Sequence, residues 1–288
     1  MNARVVVVLI GLVCSGCAGL SLTQRPVAFD NPYEILAIET VAPSLEEREG
    51  VLLRYAVPDE PSQQKYREQT VMYAKIEADE GIRVSVEGER LETRRRGPSE
   101  KSIDLTTATR IKGEKRDVVM HTEVSDQGAL IRFISGEYAS SFGRILVHDW
   151  QRTAVFPEEK VVIGDTWNYT EKIDVELVSW LVKEVSSQPY SIKARSEFEG
   201  ISMCLGRRCA VIKTIVVKKE SHHFKMLFAD LIFTTHTALE ERSFFDYEAG
   251  ELVAQIVQID ARTTSENNHL RDISKGQTVS YVVESVKK

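Results

Sequence analysis

The sequence predicts a mainly β protein built on an antiparallel, strongly curved sheet or half-barrel, with minor helix near the N-terminus. Two observations carry this. From Gly50 onward apolar and polar residues alternate with period two in segment after segment, the pattern of strands with one buried face. Short polar clusters containing Gly recur between these segments, as Asp79-Glu80-Gly81, Glu87-Gly88, Asp126-Gln127-Gly128 and Glu248-Ala249-Gly250, and such clusters mark turns.

The first 16 residues stand apart. Arg4 precedes an apolar run over residues 5–13, and Ser15-Gly16 precede Cys17. Charge, apolar run and small residues in that order are the signature of an export signal. The run is too short to span a membrane, which takes about 20 residues. Its end resembles a lipobox, the processing site of bacterial lipoproteins, with Ser15, Gly16 and Cys17 matching. Cys14 stands where Leu is commonest, and is the alternative modified residue. Leu12 and Val13 are bulky for a cut before it, so Cys17 is the expected lipidation site. The plain alternative is an ordinary secretory signal with a soluble product. Acyl chains on Cys17 would hold the protein on a membrane without spanning it, each buried CH₂ contributing about 0.8 kcal/mol. By the enterobacterial sorting rule, Ala18 rather than Asp after the cysteine implies the outer membrane, with the body facing the periplasm.

Residues 17–32, with Gly19, Pro26 and Pro32, read as a tether. Residues 33–49 have mixed helical character. Ser44 is placed to cap a short helix with Glu46 and Glu47 in its first turn. Strand patterns follow. Thr70, Met72, Ala74 and Ile76 alternate with Val71, Tyr73 and Lys75; residues 82–87 and 167–177 alternate likewise. Residues 222–239 are apolar on both parities; Thr234, Thr235 and Thr237 favour strand in the second half and leave the first open. Val155-Phe156-Pro157 with Glu158, Glu159 and Lys160 interrupts the pattern near residue 150. Residues 33–150 and 151–288 are therefore read as two β-rich halves, or as one continuous domain. No residue-level repeat relates them.

Composition narrows the partners. The formal net charge is -6 over 288 residues, against the basic face that nucleic acid requires. No second apolar run approaches membrane-spanning length, so a soluble body is expected. Of four cysteines, two belong to the signal and the lipidation site, leaving Cys204 and Cys209. They flank Leu205-Gly206-Arg207-Arg208, read as a four-residue hairpin loop. In an oxidising compartment a disulfide across it is expected, contributing about 2 kcal/mol for so short a loop. Two free thiols or half a metal site are the alternatives.

Chemistry-bearing motifs are sparse. No Gly-x-Ser-x-Gly elbow, His-Glu-x-x-His pair or phosphate-binding glycine loop is present. His148-Asp149 near Ser140-Ser141 is triad material only by composition. Among the six histidines, His222 and His223 are adjacent and so diverge on a strand, with His236 on a neighbouring one; no metal or cofactor site is assigned. Arg94, Arg95 and Arg96 are the densest basic cluster, read as a solvated hairpin end or as a contact for anionic head groups.

One resemblance extends the reading. Phe156-Pro157 followed by Val162-Ile163-Gly164-Asp165-Thr166-Trp167 is similar to a "valine-Gly-Asp-x-Trp" motif. It occurs in a group of uncharacterised bacterial lipoproteins and periplasmic proteins, where it opens a second β-rich half. In this chain Gly164-Asp165 would turn and Trp167 begin a strand with its ring inward. Some such proteins resemble the carriers LolA and LolB, which wrap an antiparallel half-barrel around a hydrophobic cavity. The resemblance covers roughly Gly50 onward and transfers no catalytic residue. It implies a non-enzymatic envelope lipoprotein binding a hydrophobic ligand, a lipid above all, on a curved sheet. An outer-membrane interaction or assembly module that binds an envelope protein is the alternative, and an envelope hydrolase the third.

Overall fold

The computed structural model describes residues 31–76, 82–112, 117–137, 154–173, 184–187, 190–226, 229–265 and 271–287. Two short helices come first, α1 (Pro32–Ile35) and α2 (Leu45–Glu49), with the two-residue strand β1 (Glu39–Thr40) between them. Asn31 caps α1 and Pro32 is buried in it, so the last two residues of the segment read as a tether belong to this helix start. Ser44 caps α2 through a complete capping box with Glu47, as its position implied.

Strands follow in long hairpins: β2 (Ser62–Ile76), β3 (Ile82–Arg96), β4 (Ser102–Ile111), β5 (Val118–Ser125) and β6 (Leu130–Glu137). After them come β7 (Thr166–Ile173), β8 (Glu184–Ser187), β9 (Tyr190–Cys204), β10 (Arg207–Met226), β11 (Ala229–Asp246), β12 (Glu251–Ser265) and β13 (Arg271–Lys287). All 13 join one sheet in the order β1-β9-β10-β11-β12-β13-β2-β3-β4-β5-β6, with β7 beside β9 and β8 beside β10. Every pairing is antiparallel. Among the described residues β6 pairs with neither β1 nor β7, so the sheet is not closed. Residues 33–150 and 151–288 pair with each other through β13 with β2 and through β1 with β9.

Three local readings change. Residues 222–226 belong to β10, so both halves of the ambiguous apolar segment are strand. Tertiary pairing on two sides decides what its pattern left open. Glu87-Gly88 is not a turn: Gly88 lies within β3, opposite Ile111. A Cβ there would come 3.0 Å from the Arg110 carbonyl oxygen, so glycine serves close strand approach. The turn between β9 and β10 has two residues, not four. Leu205 and Gly206 both have positive φ, 50° and 76°, the tight hairpin turn that matches strand twist.

Two buried clusters lie on opposite faces of the same end of the sheet, the end carrying the β9–β10 and β11–β12 turns. The larger joins Ile103 and Val124 near one sheet edge to Phe198 and Ile212 near the other, with Phe245 between. Strands so far apart in the order share a core only because the sheet curls. Bulges at Glu199 of β9 and Val253 of β12 help it bend. The second cluster lies on the convex face. There Cys204, Cys209, Phe244, Val253 and Ala254 pack beneath Leu36, which follows α1.

Candidate functional site

The concave face is built in three tiers, and the lowest is a floor that is not sheet. Residues 51–57 run extended, with Val51, Leu53 and Tyr55 buried. Residues 154–161 do the same with Ala154, Phe156 and Val161. The two straps bond to each other, Val51 N donating to the Val161 carbonyl at 2.8 Å and Val161 N to Val51 at 2.9 Å. They also tie distant hairpin ends together. Tyr55 N donates to Asp126 O at 2.7 Å, Ala56 N to Gly250 O at 3.0 Å, and Phe156 N to Gln127 O at 2.8 Å. Gly128 and Gly250 let the straps through. A Cβ on Gly128 would sit 2.2 Å from the Ala154 oxygen, and one on Gly250 2.4 Å from the Ala56 nitrogen. Both have positive φ, 85° and 67°, which side chains resist.

Aromatic packing fills the floor. Tyr55 stacks on Phe156 at 5.3 Å and meets Phe245 edge-on at 5.0 Å, arrangements that contribute about 1 kcal/mol beyond burial. Gly164 turns with φ 95° and Asp165 closes it by accepting from Val162 N at 2.8 Å. This sets Trp167 against the floor core, its indole N–H donating to the Val155 carbonyl at 2.8 Å. The turn and strand start expected from Gly164-Asp165-Thr166-Trp167 are therefore present.

Above the floor lies a buried ionic tier. Arg90 Nε donates to Glu68 at 2.7 Å, its Nη1 to Glu92, and its Nη2 to Ser280 Oγ at 3.2 Å. Arg94 Nη2 donates to the other Glu92 oxygen at 2.9 Å. Arg90 lies over the Tyr66 ring at 4.2 Å and Arg94 over Tyr55 at 5.5 Å. The Tyr66 hydroxyl sits between Gln64 Oε1 at 2.9 Å and the Leu252 carbonyl at 3.1 Å. Burial alone would push the Glu92 carboxyl up, but Arg90 and Arg94 together hold it below its usual value. Burial raises both tyrosines. Charge on this scale is tolerated inside only because each ion has partners.

The upper tier is threonine and aliphatic. Ser196 and Thr214 hydroxyls meet at 2.9 Å, Thr70 and Thr278 at 3.0 Å, and Thr235 and Thr263 at 3.0 Å. Register places Val216 opposite Leu239 and Leu239 opposite Ile259 on the same face. Ile192 and Ala194 pack with Val216, while Tyr169 and Leu239 lie against them.

The residues singled out by sequence fare differently. Cys17 lies outside the described residues, as do Ser140, Ser141, His148 and Asp149. Cys204 and Cys209 are buried free thiols in the structure. The two-residue turn pairs Cys204 with Arg207 and Cys209 with Ser202. The cysteines are thus diagonal neighbours, not the facing pair that the four-residue loop implied. Burial raises the Cys204 thiol to about 12, and Cys209 also lies well above its usual range. The arginine triplet is split by strand alternation. Arg94 is buried in the ionic tier and is withdrawn from any anionic surface contact. Arg95 is exposed, and Arg96 is exposed and pairs with Asp59 at 2.5 Å. Among the described residues no three His, Cys, Asp or Glu side chains converge as metal ligands.

Sequence reasoning missed Tyr66, Glu68, Arg90 and Glu92. Their signal was the period-two run Arg90-Glu92-Arg94 around Leu91, which is 39% exposed. Its charged parity faces inward and its leucine outward, the reverse of the usual rule.

No family model matches the chain, and no curated protein matches it. Among solved structures, the chain is similar to the crystal structure of Pseudomonas aeruginosa OpdQ at 7% identity. The match covers 79% of this chain and 98% of that one, with a TM-score of 0.26. A likeness at that score carries no argument about fold or function. Among the described residues no helix is long and apolar enough to cross a membrane.

Proposed function

We propose that this chain is a non-enzymatic envelope lipoprotein, anchored to the periplasmic face of the outer membrane through Cys17, that binds a hydrophobic ligand on the concave face of its sheet. The supporting observation is the upper tier. Leu239 and Ile259, both partly exposed, share the concave face with hydroxyls already paired to one another, as in Thr70–Thr278 and Thr235–Thr263. Paired hydroxyls make weak demands on an apolar guest, and aliphatic side chains gain about 25 cal/mol per Å² when it covers them. The aromatic floor below limits how deep a guest can go.

The test is extraction. Protein purified from envelopes under native conditions, then extracted with organic solvent, carries a reproducible lipid-class species by mass spectrometry. Leu239→Asp in the upper tier depletes it, whereas Val217→Ser on the convex face does not. Repeated recovery of empty wild-type protein overturns the reading.

A second reading has its own observation. Ile215 and Val217 project from the convex face of β10, 45% and 62% exposed. A protein-binding module would use that face, and Val217→Glu would abolish a reproducible crosslink while leaving the extracted lipid unchanged.

A further inference from the structure

The outer surface of the floor carries exposed apolar residues at the end of the molecule where the N-terminal segment joins. Strap alternation buries Val51, Leu53 and Val161 and turns Leu52 and Val162 outward, 43% and 38% exposed. The antiparallel Val51–Val161 bridge lies between those two, with Leu52 on one side of it and Val162, opposite Gly50, on the other. Consistent with this, a Cβ on Gly50 would lie 3.7 Å from Val162 Cγ1. Ile163, in the following turn, is 40% exposed, and Leu45, at the start of α2, is 78% exposed. Three of these apolar side chains on loops are thus exposed by about two-fifths, and Leu45 by most of its surface. Around them Glu46, Arg48, Glu49, Glu158, Glu159 and Lys160 mix both signs, so no single charge dominates the patch.

We infer that this floor surface rests on a lipid bilayer, with Leu45, Leu52, Val162 and Ile163 inserted at the level of the head groups. The inference rests on the anchor proposed at Cys17 and adds what the anchor alone does not give, an orientation. Geometry selects the floor. The chain enters the fold beside the β9–β10 turn, where Leu205 N donates to the Leu36 carbonyl and Glu39 pairs with Met203. Residues 18–30 separate Cys17 from Asn31, a reach of at most about 50 Å at ~3.5 Å per residue. The 20-residue strand β10 alone is longer, about 65 Å at ~3.3 Å per residue. A lipid-held Cys17 therefore keeps the floor, not the far strand ends, near the membrane. Apolar side chains held there gain by entering the boundary between head groups and acyl chains, some 5–10 Å deep (about the reach of one side chain). The mixed charges suit a zwitterionic surface better than a strongly anionic one.

The experiment uses the full-length protein expressed with its own signal and reconstituted in phosphatidylcholine vesicles whose acyl chains carry bromine. The mass of the peptide containing Cys17 is measured first. An unmodified peptide overturns the anchor, and the orientation argument with it. With the acylated protein, Ile163→Trp emission in brominated vesicles is expected to fall roughly 2-fold below that in plain vesicles, beyond any change in the parent protein, as a shallow interfacial position requires. Val217→Trp, on the convex face, is expected to show no such loss. Acylated protein whose Ile163→Trp emission is unquenched overturns the docking while leaving the anchor intact. Unquenched emission that shifts blue with protein concentration assigns the patch to a second copy, and overturns it equally.

Discussion

The two ends of the long strands are held by different physics. At the floor end both faces of the sheet are buried, the concave one by the straps and the convex one by the segment after α1. Between the straps and the upper tier sits a closed set of ion pairs. At the far end strand pairing continues through Asp272↔Ile76 and Lys225↔Asp230, and the described cross-strand side-chain bonds there include the hydroxyl pair Thr235–Thr263. The difference teaches that packing and pairing are separable along one strand. β10 starts inside two cores and, beyond Val216, carries the exposed Val217. The largest buried clusters thus lie at the floor, while the upper tier keeps a smaller one around Ile192, Ala194 and Val216.

Substitutions can break or sharpen this contrast. The largest effect is expected from Glu92→Ala, which leaves two buried guanidinium groups without their shared partner and costs about 4 kcal/mol. Urea unfolding measures it, and a loss under about 1 kcal/mol would show that the ionic tier is wetter than its burial implies. Ile212→Ala in the floor core comes next at about 3 kcal/mol, whereas Ile259→Ala in the upper tier should cost less than half of that. Equal losses would erase the contrast.

Ser44→Ala removes the cap of α2 and costs about 1 kcal/mol, read from the same unfolding curves. The same short helix carries a pH signature. Glu47 accepts from both Arg208 and Tyr247, and the Arg208 guanidinium lowers its carboxyl to about 2 from an ordinary 4.5. A carboxyl depressed by folding stabilises fully above its unfolded value and loses that contribution as protons bind. Thermal stability should therefore fall as pH drops from about 4.5 towards 2, and Arg208→Ala should flatten that fall. The smallest effect is expected from Val217→Ser, within about 0.5 kcal/mol; a larger one would mean that the convex face is covered.

The sequence made the strands legible but not their insides. Period two in residues 82–87 and around Trp167 marks strands, and the capping box at Ser44 and the turn at Gly164-Asp165 are local enough to be read directly. Which parity faces inward is a different question. In β3 the answer is the charged one, because Arg90, Glu92 and Arg94 neutralise each other across a curled sheet with Glu68 of β2. That fact depends on strand neighbours and has no local signal. The same limit explains the cysteines. Their spacing fits a hairpin, but two residues of loop rather than four move the pair from facing to diagonal. The second strap was visible only as an interruption, since Phe156-Pro157 breaks a strand pattern without saying that it plugs a sheet, and the first, residues 51–57, fell inside the stretch read as strand from Gly50 onward.

The place of β13 has a consequence for how the chain matures. The last of the described strands lies in the middle of the sheet, between β12 and β2. A chain made N-terminus first can assemble β2 through β6 as local hairpins, then β9 through β12. Apart from the short β1–β9 pairing and the strap contacts, the two arrays have no strand to join them until residues 271–287 are delivered. Until then β2 and β12 each present a bare edge, the kind that recruits other chains. Completion depends on contacts across more than 200 positions, such as Thr278 with Thr70, and such contacts fold slowly. A stop codon near residue 270 would thus leave β2 and β12 as bare edges of an unfinished sheet, and such a product should aggregate or be degraded.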